Sequence, residues 1–130
     1  NKCSEPLVAN QIEYHAYIRQ DKVIAACRKH SMLVTCHAPL ARGEMLKNPM
    51  IQKIARAHAK TAAQVALKWL IQQPDVSVVP RGLEFSEIEE NIDIFDFELS
   101  QDDMKQISAL RDKNVRIVKG KGRHPVWDVA

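Results

Sequence analysis

The chain has 130 residues, of which 45% are hydrophobic and 27% charged, with a formal net charge of +3; this composition is typical of one soluble globular domain, and the charge alone does not favour nucleic-acid binding. We expect no membrane span, because no run of about 18 apolar residues occurs, and no signal peptide, because residues 1–6 are polar. The odd set of cysteines (Cys3, Cys27, Cys36) lacks Cys-x-x-Cys spacing, which predicts neither a disulfide framework nor a zinc site and favours a reducing cytoplasm.

The first part of the chain predicts two strands separated by a helix. Leu7–Tyr14 is predicted as a buried strand. Asp21 is expected to cap a helix that runs to about His30. The buried face of this helix is expected to comprise Val23, Ile24 and Cys27. Met32–Cys36 is predicted as a second strand, and a loop from Pro39 to Asn48 follows it.

Two helices are predicted next. Pro49 suits the first turn of a helix, which Ile51, Ile54, Ala55 and His58 continue at helical spacing. Thr61 and Gln64 form a capping-box pattern before an apolar run that Pro74 closes.

The remaining elements are a third strand at Val76–Val79, a capping box at Ser86–Glu89, and a last helix that begins at Ser100. Met104, Ile107 and Leu110 are expected on the buried stripe of that helix. Strands that alternate with helices predict parallel pairing. Three strands close poorly on their own, and a complete (β/α)₈ barrel takes about 250 residues. The pattern therefore indicates part of a larger α/β unit, or a small α/β domain that needs a partner.

Three blocks of sequence lie in a characteristic order: Asn10–His15, Val34–Leu40, and Val78–Gly82 with Glu90-Asn91 after it. In this order and spacing they resemble the C-terminal half of an aldo-keto reductase, and the bacterial 2,5-diketogluconate and methylglyoxal reductases in particular. The likeness runs from about Leu7 to Asp128 and includes the tail Pro125–Asp128. It implies that residues 1–130 form strands six to eight of a (β/α)₈ TIM barrel, with its terminal helix and tail.

The resemblance implies a site for a nicotinamide dinucleotide. Gln11 would bind the carboxamide of the nicotinamide, although an amide at a strand end can equally be a surface cap. His37 would stack under the ring where the family usually has tyrosine; the alternative is an ordinary strand-end histidine. Ala38 takes a position that is often serine. Leu40, Ala41 and Gly43 would line the pyrophosphate loop, where small residues let backbone N–H groups approach anionic oxygen.

The adenosine end of the site is implied after the third strand. Arg81 keeps the cation that grips the 2′-phosphate of NADP, and Gly82 keeps a backbone N–H but no hydroxyl. Glu87 takes a position that is often arginine, so NADP is expected but NAD stays open as an alternative. Glu90 and Asn91 match the adenine-binding pair, and their alternative is a solvated helix face.

No catalytic or metal-binding residue is predicted in the chain, because the family's catalytic residues would lie upstream of Asn1. The resemblance implies that an intact parent protein reduces small aldehydes or ketones. This chain would contribute the dinucleotide-binding half of that parent, and the chain alone is expected to be inactive. A non-catalytic dinucleotide-binding or protein-interaction module is the alternative. The expected partner is the missing barrel half or a second copy. The basic segment Arg111–Arg123 is interpreted as solvated rather than as a nucleic-acid arm, since no aromatic residues interleave its charges.

Overall fold

The computed structural model describes residues 4–118. Their elements, in chain order, are β1 (Ala9–Glu13), α1 (Asp21–Lys29), β2 (Leu33–His37), a 3-10 segment (Ala41–Lys47), α2 (Pro49–Ala57), α3 (Ala62–Ile71), β3 (Val76–Val79), α4 (Phe85–Ile92), α5 (Gln101–Ala109) and a second 3-10 segment (Leu110–Lys113). The predictions made for Cys3 and for the tail beyond residue 118 lie outside the described residues.

The three strands form one parallel sheet in the order β1-β2-β3. This confirms the parallel pairing that the alternation of strands and helices predicts. The register places Glu13 opposite His37 and His37 opposite Val79, so the carboxyl ends of all three strands lie at one edge of the sheet. In the described part of the chain, β1 and β3 each leave one edge without a neighbouring strand.

Helices cover only one face of the sheet. On β2, Val34 and Cys36 are buried, whereas Leu33 on the other face is 41% exposed. The covered face packs against α1 and α3, and α3 is buried along nearly its whole length, with Trp69 and Leu70 in the core. Parallel sheets are normally covered on both faces, so the open face has the character expected of a part of a larger structure.

Several helix starts agree with the sequence. Asn48 caps α2, its side chain accepting from the backbone N–H groups of Met50 and Ile51. The predicted capping box of Thr61 and Gln64 begins α3, and Ser100 begins α5 by accepting from the N–H of Asp103. On α5, Ile107 is buried and Met104 is half-buried, whereas Leu110, also half-buried, begins the second 3-10 segment instead of belonging to the helix.

Two helix starts differ from the prediction. Asp21 is the first residue of α1 rather than its cap; Gln20 occupies the cap position and makes no side-chain cap bond. Asp21 instead places negative charge in the first turn, where the helix dipole favours it. The box predicted at Ser86 is wrong, because α4 already begins at Phe85 and its box joins Glu84 and Glu87.

The first strand is shorter and less buried than predicted. It begins at Ala9, and the apolar side chains of Leu7 and Val8 are 64% and 77% exposed. The reason is that β1 is an edge strand, and nothing in the described part of the chain covers the residues that lead into it. The boundary of α1 moves by one residue, from His30 to Lys29, and the loop before Asn48 contains a 3-10 segment.

Within residues 4–118, no helix has both the length and the apolar composition needed to cross a bilayer.

Candidate functional site

The open face of the sheet presents a row of polar side chains across the middle of its strands. Gln11 pairs with Thr35, and Thr35 with Ser77, in one row across the three strands. The hydroxyl oxygens of Thr35 and Ser77 lie 3.1 Å apart. Side chains two residues apart on a strand share a face, so Gln11 and His37 lie on this same open face, on neighbouring strands. The exposed amide of Gln11 can therefore meet a polar ligand that enters from this side.

His37 is the last residue of β2 and is half-buried. Its ring belongs to the row next to Gln11, and neighbouring strands in a sheet lie about 4.8 Å apart. A planar ring ligand could thus lie against the imidazole while its polar group reaches the amide of Gln11. The predicted pair therefore lies on one surface.

The loop after β2 contains an unusual run of left-handed residues. Ala38, Ala41 and Arg42 have φ of 51°, 50° and 54°, and Gly43 has φ of 89°. This conformation is uncommon for residues with a Cβ and persists where the surroundings impose it, often at ligand sites. The N–H of Ala41 donates to Ala38 O, and that of Gly43 donates to Leu40 O, each at 2.9 Å. These two amides hold the loop's shape, and Ala41 is fully buried.

Tyr17 ties the loop after β1 to the loop after β2. Its hydroxyl donates to the carbonyl of Glu44 at 3.5 Å and accepts from the amide of Asn48 at 3.0 Å. Asn48 in turn caps α2. The side chain of Tyr17 is 7% exposed. The sequence analysis assigned no such function to Tyr17, and its spacing from Asn48 along the chain gave no signal.

Arg81 and Gly82 follow β3 at the same edge of the sheet. Arg81 is exposed, so its guanidinium can reach an anion in solvent. Gly82 packs closely on α4: a Cβ at this position would lie 2.7 Å from Cγ1 of Ile88. This contact gives a physical reason for glycine where the resemblance leads one to expect a hydroxyl side chain.

Glu87 is the N-terminal capping carboxylate of α4. It accepts from the backbone N–H of Leu83 at 2.7 Å and from that of Glu84 at 3.4 Å. These two bonds, followed by the nearby charge of Arg81, hold the pKa of Glu87 below its ordinary value, although slight desolvation opposes them. The carboxylate thus stays charged at neutral pH next to Arg81, as an opposing charge for any phosphate bound there.

Glu90 and Asn91 lie near the end of α4, both half-buried. The carboxylate of Glu90 accepts from the hydroxyl of Thr61, and Gln64 donates to the Glu90 carbonyl at 3.3 Å. Gln64 also donates to the carbonyl of Asp93 at 2.9 Å. Gln64 therefore holds α4 against α3, a function that its capping-box pattern did not predict.

A cavity of about 320 Å³ lies between β3, the end of α3 and α4. Its lining is largely apolar and includes Val78 and Ile88, while Gly82 and Asn91 are the predicted site residues at its border. Val78 alternates with Ser77, so it belongs to the helix-covered face. The cavity is therefore on the opposite side of the sheet from Gln11 and is better suited to packing than to a charged dinucleotide.

A buried polar cluster lies at the end of β1. The Glu13 carboxylate is 3.0 Å from Nε2 of His15, and both residues are buried. The N–H of Tyr17 donates to Nδ1 of His15 at 3.2 Å, so Nε2 carries the proton and donates to Glu13. Burial lowers the pKa of His15, and the hydrogen bond and negative charge of Glu13 offset only part of this shift. Burial alone would raise the pKa of Glu13, but hydrogen bonds from the Val118 amide, His15 and the Ile117 amide outweigh it and lower the pKa.

Comparisons with known proteins assign the family. The profile of the aldo/keto reductase family matches residues 2–112. This chain belongs to the aldo/keto reductase family. This match confirms the resemblance from which the site was predicted. The members of the family are oxidoreductases.

Among aldo/keto reductases, methylglyoxal reductase DkgB of Escherichia coli O157:H7 is 36% identical over 125 residues, which are 96% of this chain and 46% of the relative. A crystal structure of a putative 2,5-diketo-D-gluconic acid reductase B is 40% identical with a TM-score of 0.91, over 97% of this chain and 45% of that one. A mutant of Gox0644 in complex with NADPH is 35% identical with a TM-score of 0.76, over 79% and 38%. The chain thus spans less than half the length of these relatives.

Proposed function

We propose that this chain is the dinucleotide-binding part of an NAD(P)H-dependent aldo/keto reductase that reduces small aldehydes or ketones. In this proposal it forms strands six to eight of a (β/α)₈ barrel, and the acid that protonates the carbonyl oxygen belongs to the preceding strands. The open face of the sheet then becomes the barrel interior. A cytoplasmic location fits the two buried free cysteines, Cys27 and Cys36.

The described residues fit the cofactor at both of its ends. Gln11 offers an exposed amide, with one donor and one acceptor side, to the carboxamide, and His37 offers a flat surface next to it. The loop formed by Ala38, Leu40, Ala41 and Gly43 would border the pyrophosphate. When bound, the nicotinamide supplies the hydride; the protein residues bind it and orient it.

The adenosine end would be held by Arg81 and α4. Arg81 attracts the 2′-phosphate of NADP, Gly82 lets the loop lie close to α4, and Glu90 with Asn91 borders the adenine. The charge of Glu87 opposes the phosphate, so we expect a modest preference for NADPH over NADH rather than exclusion of NADH.

The observation that carries this proposal is that Gln11 and His37 share the open face of neighbouring parallel strands, and that His37 ends β2 while Arg81 follows the carboxyl end of β3. Ligand sites of barrels formed by parallel strands lie at the carboxyl ends of the strands. An interaction module with no cofactor would not require this arrangement.

The test is a titration of NADPH and NADH against the full-length protein and two variants. Arg81→Ala is expected to weaken NADPH binding by about tenfold or more while NADH changes little, because one charge-assisted contact is lost. Glu87→Gln keeps an acceptor for the capping bonds but removes the charge, and should strengthen NADPH by about two- to fivefold, the scale of an exposed charge pair. Glu89→Gln, an exposed carboxylate on the same helix, is the matched control.

Unchanged NADPH/NADH ratios in both variants would contradict the assignment of this loop. Failure of the full-length protein to bind either dinucleotide would contradict the proposed function. We further expect residues 1–130 alone to show no enzyme-like reduction of methylglyoxal, since general acid catalysis contributes about 10²–10⁴-fold and no acid is assigned in this chain. Steady NADPH oxidation by that chain with methylglyoxal would refute this division.

A further inference from the structure

A single carboxylate holds the segment that follows the last helix. The Glu13 side chain is 1% exposed and accepts four hydrogen bonds. Its Oε1 accepts from the backbone N–H of Ile117 at 2.6 Å, from that of Val118 at 3.0 Å and from His15 at 3.0 Å. Its Oε2 accepts from Nη1 of Arg116 at 3.2 Å. Three of the four donors thus come from a segment more than 100 residues away.

The segment around residues 112–118 runs along the loop after β1. The N–H of Val115 donates to the carbonyl of Tyr17 at 2.7 Å. The N–H of Arg19 donates to the side chain of Asn114 at 3.3 Å, and Nζ of Lys113 lies 4.2 Å from the ring centre of Tyr17. Most of these contacts are exposed or single, whereas the contact with Glu13 is buried and multiple. Glu13 is therefore the principal anchor at the far end of the segment.

This anchor lies next to the proposed nicotinamide position. Glu13 follows Gln11 by two residues on β1, so both side chains leave the strand on the same face, about 6–7 Å apart along it. Glu13 is also the register partner of His37. The segment that Glu13 holds thus passes beside the pair of residues proposed to bind the nicotinamide end.

We infer that Glu13 is a positioning residue of the reductase site, which holds segment 115–118 as a wall beside the nicotinamide end and so sets how a carbonyl substrate fits there. This inference rests on the proposed function. Glu13 itself is covered by its four donors, so in this proposal it acts through the segment and not by contact with cofactor or substrate. An apolar side chain at this position could fill the space but could not fix the backbone of Ile117 and Val118. Two hydrogen bonds from backbone amides to one carboxylate oxygen restrict both the distance and the direction of that backbone.

The test compares Glu13→Gln with Glu98→Gln in the full-length protein. The glutamine at position 13 keeps the size but loses the charge and places an amide NH₂ against donors. Glu98 is an exposed carboxylate paired with Lys68 away from this segment, so its variant is the matched control. The readouts are the rate of tryptic cleavage after Lys113 and Arg116, the Kd for NADPH, and kcat and KM for methylglyoxal.

For Glu13→Gln we expect cleavage in the segment to accelerate by about tenfold or more, the scale of lost charge-assisted hydrogen bonds. KM should rise by a similar factor, while the Kd for NADPH stays within about threefold, because the cofactor's own contacts remain. Glu98→Gln should match the wild type in every readout. If Glu13→Gln does not fold, Arg116→Gln removes one donor only and is read by cleavage after Lys113 and by KM.

Unchanged cleavage would overturn the anchor. Faster cleavage with an unchanged KM, or an equal loss of NADPH affinity, would overturn the positioning role and leave Glu13 with a structural one. A wild-type protein that binds no dinucleotide would overturn the proposed function and this role with it, and the cleavage rates would then still distinguish an anchored segment from a loose one.

Discussion

Gln64 joins the helix that packs on the sheet to the helix proposed to bind adenosine, and its replacement gives a direct measure of that connection. Gln64 is 5% exposed. Its Nε2 donates to the carbonyl and the carboxylate of Asp93 at 2.9 and 3.1 Å and to the carbonyl of Glu90 at 3.3 Å, and its Oε1 accepts from the N–H of Thr61 at 3.0 Å. We therefore choose Gln64→Met, which keeps the length and removes all four bonds.

The size of the stability loss depends on which of these groups lose a hydrogen-bond partner that water cannot replace. A net hydrogen bond contributes about 0.5–1.5 kcal/mol. Asp93 and Thr61 are exposed, so water can replace part of what they lose, and methionine gains some apolar burial. We expect Gln64→Met to lower the free energy of unfolding by about 1–3 kcal/mol and to weaken NADPH binding, because α4 loses its hydrogen bonds to Gln64.

Urea unfolding followed by circular dichroism measures the change in stability. Amide hydrogen exchange in α4 measures the loosening of this helix that we expect to weaken NADPH binding. Gln101→Met, on the exposed first turn of α5, is the control. If Gln64→Met were as stable as Gln101→Met within about 0.5 kcal/mol, or if exchange in α4 were unchanged, the attachment would not have the importance given to it here.

Three other predictions concern acid, association and thiol chemistry. Because the pKa of His15 is lowered on folding, the unfolded chain takes up a proton that the folded chain does not, so stability should begin to fall as the pH drops below about 6.5. It should fall further as the pH passes through the lowered pKa of Glu13, below 4.5; urea unfolding from pH 8 to 4 should show the first phase diminished in His15→Gln. In the described part of the chain, the sheet has two edges without a neighbouring strand, and Phe95 is 74% exposed. Residues 1–130 should therefore associate as their concentration rises in sedimentation velocity, and Phe95→Lys should reduce this association. A cooperative, monodisperse monomer would contradict the prediction. Burial raises the pKa of the Cys36 thiol to about 12, so iodoacetamide at pH 8 should label Cys36 far more slowly in the native protein than in urea, and equal rates would refute its burial.

Short sequence patterns predicted correctly those elements whose bounds depend on residues nearby in the chain. Val76–Val79 has the predicted bounds, since a short β-branched run between Pro74 and Pro80 has few alternatives. Thr61 and Gln64 form the box that their spacing predicts. At α4 the same kind of pattern failed, because acidic residues at 84, 87, 89 and 90 allow several overlapping boxes and the sequence does not rank them.

The candidate site divides in the same way. The positions of His37 and Arg81, at and after the carboxyl ends of their strands, could be predicted, because the carboxyl ends of parallel strands always lie together. Gln11 was predicted at the same end, but the structure places it in the middle of β1. The partners of Glu13 could not, since the amides of Ile117 and Val118 are 104 and 105 residues away and any amide can donate to a carboxylate.

The two faces of the sheet would contribute differently to the proposed barrel. The covered face is packed around Trp69. On the open face the middle row, Gln11 with Thr35 and Ser77, is polar and can face water without penalty, but Leu33 and Val79 on either side of that row are apolar and 41% and 47% exposed. Burying such side chains stabilises a protein by about 25 cal/mol per Å² of apolar surface. Barrel closure would therefore gain its free energy mainly from the ends of the strands and from the sheet edges, while the polar row stays available to a ligand.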